Sequence, residues 1–236
     1  LEHVRAMGSA AEDMSLSATG RMQEVGGRVS VSASDGFSAY FIPRIAEQIR
    51  DEAPQVTLEI VSSNALSDLH RREADIALRH VRPEQPDLFA KLACETRAYL
   101  YASCGWVEKN GYPGCPEDLA NADFIGLDPA GRFIGFLRDK GLPVTAENFR
   151  LVSENSVVSW NLARLGLGIT GQVRELADGY RDMVPILPDA VWFDVPVWLV
   201  THRELRTSRR IRVVFDILAR ELRRLTAAED RSPAGP

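Results

Sequence analysis

Strand-length and helix-length runs alternate along the chain from residue 28, and this alternation restricts the fold more than any other feature. Arg28-Val-Ser-Val-Ser-Ala-Ser34 alternates apolar with small polar residues, the period-two pattern of a strand. Phe37 to Glu52 switches to helical periodicity, with Phe41, Ile42, Ile45 and Ile49 on one side and Pro54 beyond its end. Val56 to Val61 reads as a strand, Ala65 to Arg72 as a short helix and Ala74 to Arg79 as a third strand. Strand, helix, strand, helix, strand implies parallel strands joined by right-handed crossovers.

Two strand-like runs follow, Leu88 to Glu95 and Ala98 to Ser103, then a broken helical region through Trp106 and Pro116 to Leu119. The alternation restarts with a strand at Phe124 to Leu127, a helix at Arg132 to Lys140, a strand at Arg150 to Ser153, a helix at Val157 to Leu165 and a short strand at Gly168 to Thr170. Met183 to Leu187 and Val195 to Val200 read as two further strands. Arg209 to Leu225 is an amphipathic helix carrying Ile211, Val214, Phe215, Leu218 and Leu222. Two α/β modules in succession predict two lobes with a cleft between them rather than one continuous sheet. Such clefts are where small molecules usually bind. Before the first strand, Leu1, Val4, Met7, Ala11, Met14 and Leu16 recur at mostly helical spacing up to a glycine stop at Gly26-Gly27. That helix has too few large apolar residues to stand alone and reads as a connector or partner helix. The tail from Thr226 to Pro236 is expected to be disordered.

Composition narrows the function classes. The 236 residues are 45% apolar, ample for a real core. A formal net charge of −5 argues against a nucleic-acid surface spread over these residues, because phosphate contacts need clustered Lys and Arg. The three cysteines Cys94, Cys104 and Cys115 form neither an even set nor a Cys-x-x-Cys pair, so neither a disulfide scaffold nor a zinc knuckle is indicated, and a reduced, cytoplasmic setting is expected. No stretch has the apolar core of a signal peptide or approaches the roughly 20 apolar residues of a membrane span, so no membrane partner is expected. A start at Leu1 rather than Met reads as a piece of a longer chain.

The motifs of catalysis and cofactor binding are absent. No two of the four histidines (His3, His70, His80, His202) stand at i, i+4, which excludes a helical metal pair, and no metal or cofactor is expected. Gly166-Leu-Gly168 lies between a helix and a strand, the wrong order for cradling phosphates, and reads as a helix stop with a tight turn. Arg71-Arg72-Glu73-Ala74-Asp75 reads as a solvated turn. Arg206, Arg209, Arg210 and Arg212 are diluted by Glu204, Asp216 and Glu221 into a solvated helix face. What stands out is a small-polar signature at strand-to-helix junctions: Ser34-Asp35, Ser62-Ser63-Asn64, Asp128-Pro129-Ala130-Gly131, Asn155-Ser156 and Thr170-Gly171-Gln172. Each is first of all a helix N-cap, which alone accounts for the residue types. In an open parallel sheet, however, the same junctions share the edge where ligands bind, and helix N-termini there present free N–H groups. On that reading the cleft suits a small polar or anionic molecule, with Arg79 and His80 at the end of the third strand as counter-charges. No nucleophile, base and orienting group can be assembled, so no enzyme is expected.

In order and spacing, Gly27-Arg-Val-Ser-Val-Ser-Ala-Ser34, Phe41-Ile-Pro43, Pro54-Gln-Val-Thr-Leu-Glu-Ile60, Arg72-Glu-Ala-Asp-Ile-Ala-Leu-Arg79 and Leu165-Gly-Leu-Gly-Ile169 resemble the effector-binding domain of LysR-type transcriptional regulators. The resemblance runs from about Gly27 to Leu225. It implies two Rossmann-like lobes of the periplasmic-binding-protein type, the first at residues 27–97 plus 202–225 and the second at residues 98–201. Residues 1–26 would be the distal part of a linker helix, and residues 226–236 the tail. It further implies a small effector between the lobes, at Ser34, Ser63 and Asn64 with Asn155, Ser156 and Thr170 facing from the other lobe; the strand-to-helix junctions and the end of the third strand add Asp35, Arg79, His80 and Asp128 to the expected site. Partners implied are a second copy or a homotetramer, DNA through a winged helix-turn-helix outside these residues, and RNA polymerase. The subunit contact implied pairs the first-lobe helix, through Tyr40 and Ile45, with Phe133, Phe136 and Leu137 of a second-lobe helix. A solute-binding protein of a transport system would share the fold and is the alternative.

Overall fold

The computed structural model describes residues 25–64 and 74–227. The expected helices at Leu1 to Glu24 and Ala65 to Arg72, and the tail beyond residue 227, lie outside the described residues. Strand β1 (Gly27–Ala33) lies between two parallel neighbours, β2 (Val56–Ser62) and β3 (Ile76–Arg79), with Gly27 opposite Val56 and Val31 opposite Ile76. The first module is therefore parallel, as the alternation requires. Its three strands end together, so Ser34, Ser63-Asn64 and His80 emerge on one sheet edge. Asp75 fixes the entry of β3: its carboxylate accepts from the Ser30 N–H at 2.8 Å and the Ser30 hydroxyl at 3.0 Å.

The expected helix from Phe37 to Glu52 is two helices, α1 (Asp35–Tyr40) and α2 (Ile42–Glu52), meeting at Phe41. Pro43 in the first turn of α2 has no N–H to give and its ring crowds the preceding turn, so the helix restarts there. Ile42, Ile45 and Ile49 are the buried face of α2, and Phe37 and Phe41 stack at 4.3 Å beneath the junction.

The two runs expected at Leu88 to Glu95 and Ala98 to Ser103 are one strand, β4 (Leu88–Ser103). Its pairing with β9 (Trp192–His202) shifts register between Leu92 and Cys94. The extra residue, Ala93, bends the strand within the first expected run, whereas the gap between the two runs falls at the polar Thr96 and Arg97, which stay paired with Val195 and Asp194. β4 and β9 are antiparallel and pass through both lobes. The sheet is consequently one seven-stranded ladder in the order β2-β1-β3-β9-β4-β7, with β7 (Thr170–Val173) and β8 (Met183–Ile186) both on β4. The expectation of two lobes without one continuous sheet is thus corrected in its second half: the crossing strands carry the hydrogen-bonded ladder from one lobe to the other. β5 (Ile125–Gly126) and β6 (Leu151–Val152) form a separate parallel pair, a short remnant of the longer strands expected there.

Helices α3 (Cys104–Asn110), α4 (Arg132–Asp139), α5 (Ser156–Arg164), α6 (Arg174–Ala177) and α7 (Arg209–Ala227) complete the described chain. α7 runs on through Thr226, past the expected start of the tail, and buries Ile211, Val214, Phe215, Leu218 and Leu222 as its pattern demands. Two large apolar cores and a small cluster of Ala77, Leu88 and Val200 result. One gathers Leu100, Trp106, Phe124, Leu137 and Ile169 inside the second lobe. The other joins Val29, Ile45, Leu78 and Phe215 of the first lobe to Tyr101, Trp160, Val173 and Leu176 of the second, so the lobes share packed side chains.

Candidate functional site

The edge where β1, β2 and β3 end faces the N-terminus of α5 in the second lobe. Ser34 stands at the start of α1 without capping it; its hydroxyl instead lies 3.3 Å from His80 Nε2. His80 Nδ1 lies 3.2 Å from the Pro196 carbonyl on β9. A carbonyl only accepts, so Nδ1 carries the proton and Nε2 is left to accept from Ser34. The ring is the neutral tautomer. Burial lowers its pKa below the usual value of 6.5, against the hydrogen bond to Pro196 and with help from the adjacent Arg79 charge. Phe37 packs on the other side of the imidazole, 4.8 Å between ring centres.

Asp35 crosses to the other lobe. Its carboxylate accepts from the Ser156 N–H at 2.8 Å and the Ser156 hydroxyl at 2.7 Å, and from the neighbouring Gly36 N–H at 2.7 Å. Ser156 is the first residue of α5, so this carboxylate sits where the unpaired N–H groups and partial positive charge of the helix are directed. Asn155, the N-cap residue, accepts from the Val158 N–H at 3.0 Å. Asn64 bridges the same gap: its Oδ1 accepts from the Asp35 N–H at 3.1 Å and its Nδ2 donates to the Glu154 carbonyl at 2.8 Å. The structure therefore brings Ser34, Asp35, Asn64, His80, Asn155 and Ser156 together. Ser63 is held beside them by its N–H on the Ala33 carbonyl at 2.9 Å.

Three expected residues stand elsewhere. Arg79 is buried and turned back along the sheet, donating to the Ser32 hydroxyl at 3.1 Å and to its own neighbour's Leu78 carbonyl at 2.9 Å. Alternation along β3 directs residue 79 to the sheet and leaves the edge to residue 80, so the counter-charge expected there is spent inside. Asp128 caps α4, accepting from the N–H groups of Arg132 and Phe133 at 3.0 and 2.9 Å. Burial raises its pKa, and these backbone donors outweigh burial and bring the carboxyl below its usual range. It lines a separate cavity of about 170 Å³ with Phe133, Phe149 and Val152. Thr170 is wholly buried opposite Tyr101, on the sheet face that Trp160 of α5 covers, and its hydroxyl has no hydrogen-bond partner among the described residues.

Sequence reasoning missed Gly36, Glu154 and Pro196. The last two act through backbone carbonyls, which no residue type announces. Gly36 was legible as a glycine beside a polar junction: a Cβ there would lie 2.7 Å from the Ser156 hydroxyl oxygen. Among the described residues no group of His, Cys, Asp and Glu could hold a metal ion, and no helix is long and apolar enough to cross a membrane.

A two-lobed α/β protein with polar strand ends facing a helix N-terminus across a hinge of two crossing strands is a ligand-binding class of structure. Comparison with known proteins specifies the family. Residues 22–223 match the model of the LysR substrate binding domain, and the chain belongs to that family. The HTH-type transcriptional regulator CrgA of Neisseria meningitidis serogroup B is 25% identical over 202 residues, which are 83% of this chain and 67% of that protein. The HTH-type transcriptional regulator PtxR of Pseudomonas aeruginosa is 26% identical over 175 residues, 70% of this chain and 54% of that one. The chain thus spans between half and two thirds of these relatives. In fold it is similar to the regulatory domain of CrgA, with TM-score 0.75 and 22% identity over 84% of this chain and 99% of that one. It is also similar to the full-length Vibrio cholerae virulence activator AphB, with TM-score 0.66 and 17% identity over 89% and 75%. It is an effector-sensing regulatory domain of the LysR type, not a solute-binding protein of a transport system.

Proposed function

We propose that the chain senses a small polar or anionic metabolite between its two lobes, at residues 27–97 plus 202–225 and 98–201, and transmits its presence to a transcription apparatus without catalysing a reaction. The observation that carries this reading is the polar cluster of Ser34, Asn64 and His80 at one sheet edge, set against the N-terminus of α5 in the opposite lobe. Polar side chains at this density in a cleft are costly unless they are hydrogen-bonded, and a ligand bearing its own donors and acceptors satisfies them as well as protein does.

The whole protein, on this reading, acts in the cytoplasm as a homodimer or homotetramer, reads DNA through a helix-turn-helix module outside residues 1–236, and influences RNA polymerase there. The HTH-type names of the relatives support the DNA-reading part. Thermal-shift screening of metabolites supplies the ligand, and titration of Ser34→Ala and Asn64→Ala tests the site. Each lost neutral hydrogen bond is expected to weaken binding by roughly two- to tenfold. Unchanged affinity in both variants rejects the cleft as the effector site.

A further inference from the structure

The contacts that hold the lobes together use the groups that an anion in the cleft would need. Ser156 offers two donors at the start of α5, its N–H and its hydroxyl, and both are taken by one carboxylate from the opposite lobe, that of Asp35. Hydrogen bonds to an ionised acceptor are about twice as strong as neutral ones. The approach is close as well as polar, since a Cβ on Gly36 would stand 2.7 Å from the Ser156 hydroxyl oxygen. A side chain at residue 36 would have to displace the Ser156 hydroxyl from its place on Asp35. Asn64 spans the same gap independently, from the Asp35 N–H to the Glu154 carbonyl. A bidentate carboxylate, a missing side chain and an amide bridge therefore converge on one closed arrangement.

We propose that Asp35 is a tethered counter-anion: its carboxylate occupies the seat on Ser156 and latches the lobes shut, and an anionic effector acts by displacing it. The displacement step rests on the effector-cleft reading above, whereas the latch does not. The seat accepts one carboxylate-sized anion. A neutral effector has no charge to exchange for the two charge-assisted bonds that Asp35 gives up, so the ligand class narrows to molecules with a carboxylate or similar anionic head.

Amide hydrogen exchange of the whole chain, read at the segment from Ser156 to Leu162 with circular dichroism as the folding control, tests this directly. Asp35→Ala is expected to raise exchange there by about tenfold or more, from the loss of charge-assisted bonds. Asp35→Asn, which keeps the shape and one acceptor, should raise it less. Gly36→Ala, which leaves the carboxylate in place but fills the close approach, should open the same segment. Acetate added to Asp35→Ala should restore protection, while chloride at equal ionic strength should not, and acetate should not rescue Gly36→Ala. Wild-type exchange in both Asp35→Ala and Gly36→Ala overturns the latch. Raised exchange that acetate fails to reverse overturns displacement by an anion. Failure of a metabolite screen moves neither reading, because these measurements use no effector.

Discussion

His80 shows how one side chain joins packing to pH response. It is neutral because its ring is covered by Phe37 and wedged between Ser34 and Pro196, an environment that penalises the second proton. Its pKa is lower in the folded chain than in the unfolded one, so the unfolded state binds the extra proton first. The native state keeps its full stability above about pH 6.5 and loses part of it as the pH falls from there toward the folded pKa. Melting temperatures of the wild type are expected to drop between about pH 7.5 and 5.5 by more than those of His80→Gln, which has no proton to gain. Equal drops in the two proteins would remove His80 as the source. The histidine itself was legible in the sequence as a polar residue ending a strand. Its partner carbonyl on Pro196, 116 residues away, was not, because every residue carries a carbonyl and only the fold selects one.

At the level of elements, the junction residues singled out for ligand binding divide into two groups, and the division follows what each helix start has available. Asp128 satisfies the first N–H groups of α4 from within its own loop, so its carboxylate serves that helix start and not the opposite lobe. α5 has Asn155 as a local cap but leaves the Ser156 N–H to the opposite lobe. Asp128→Ala should therefore behave as a lost cap, destabilising the chain by about 0.5–2 kcal/mol in denaturant unfolding. Because its donors hold the carboxyl below its usual range, that contribution is present above about pH 4 and disappears as the pH falls through the folded pKa. A variant as stable as wild type at neutral pH would show that the cap is dispensable. The same scale explains the misread strands: β4 is continuous in hydrogen bonding through the polar run Glu95-Thr96-Arg97, where the apolar pattern of the sequence stops and restarts.

For the whole molecule, the expected subunit contact needs revision in its details. Ile45 and Leu137 are inside the cores of their own lobes, at 1% and 0% exposure, so neither can touch a partner. Apolar positions on a short helix predict a buried face, but not whether the cover is the same chain or another. Phe133 packs against Phe149 and Phe193, and Tyr40 edges onto Tyr180. Phe136 alone of the five is well exposed, at 45%, stacked by one edge on Phe193. If α4 meets a second copy, Phe136→Asp should convert a dimer seen by light scattering into a folded monomer, since a charge buried at a contact without a partner is strongly unfavourable. A Phe136→Asp chain that stays dimeric moves the contact to another face.

The α/β alternation, the parallel first module, the buried faces of α2 and α7 and the polar residues at the strand ends were determined by sequence, because periodicity and capping are local properties of neighbouring residues. Only the tertiary structure decided that β4 and β9 carry one ladder through both lobes, that Arg79 turns inward, and that Asp35 reaches Ser156 across 121 positions of chain. Those outcomes depend on which surfaces meet in space. A carboxylate near a helix start is a cap, a ligand mimic or a free charge according to which helix folds against it, and the chain contains several equivalent helix starts that only packing can tell apart.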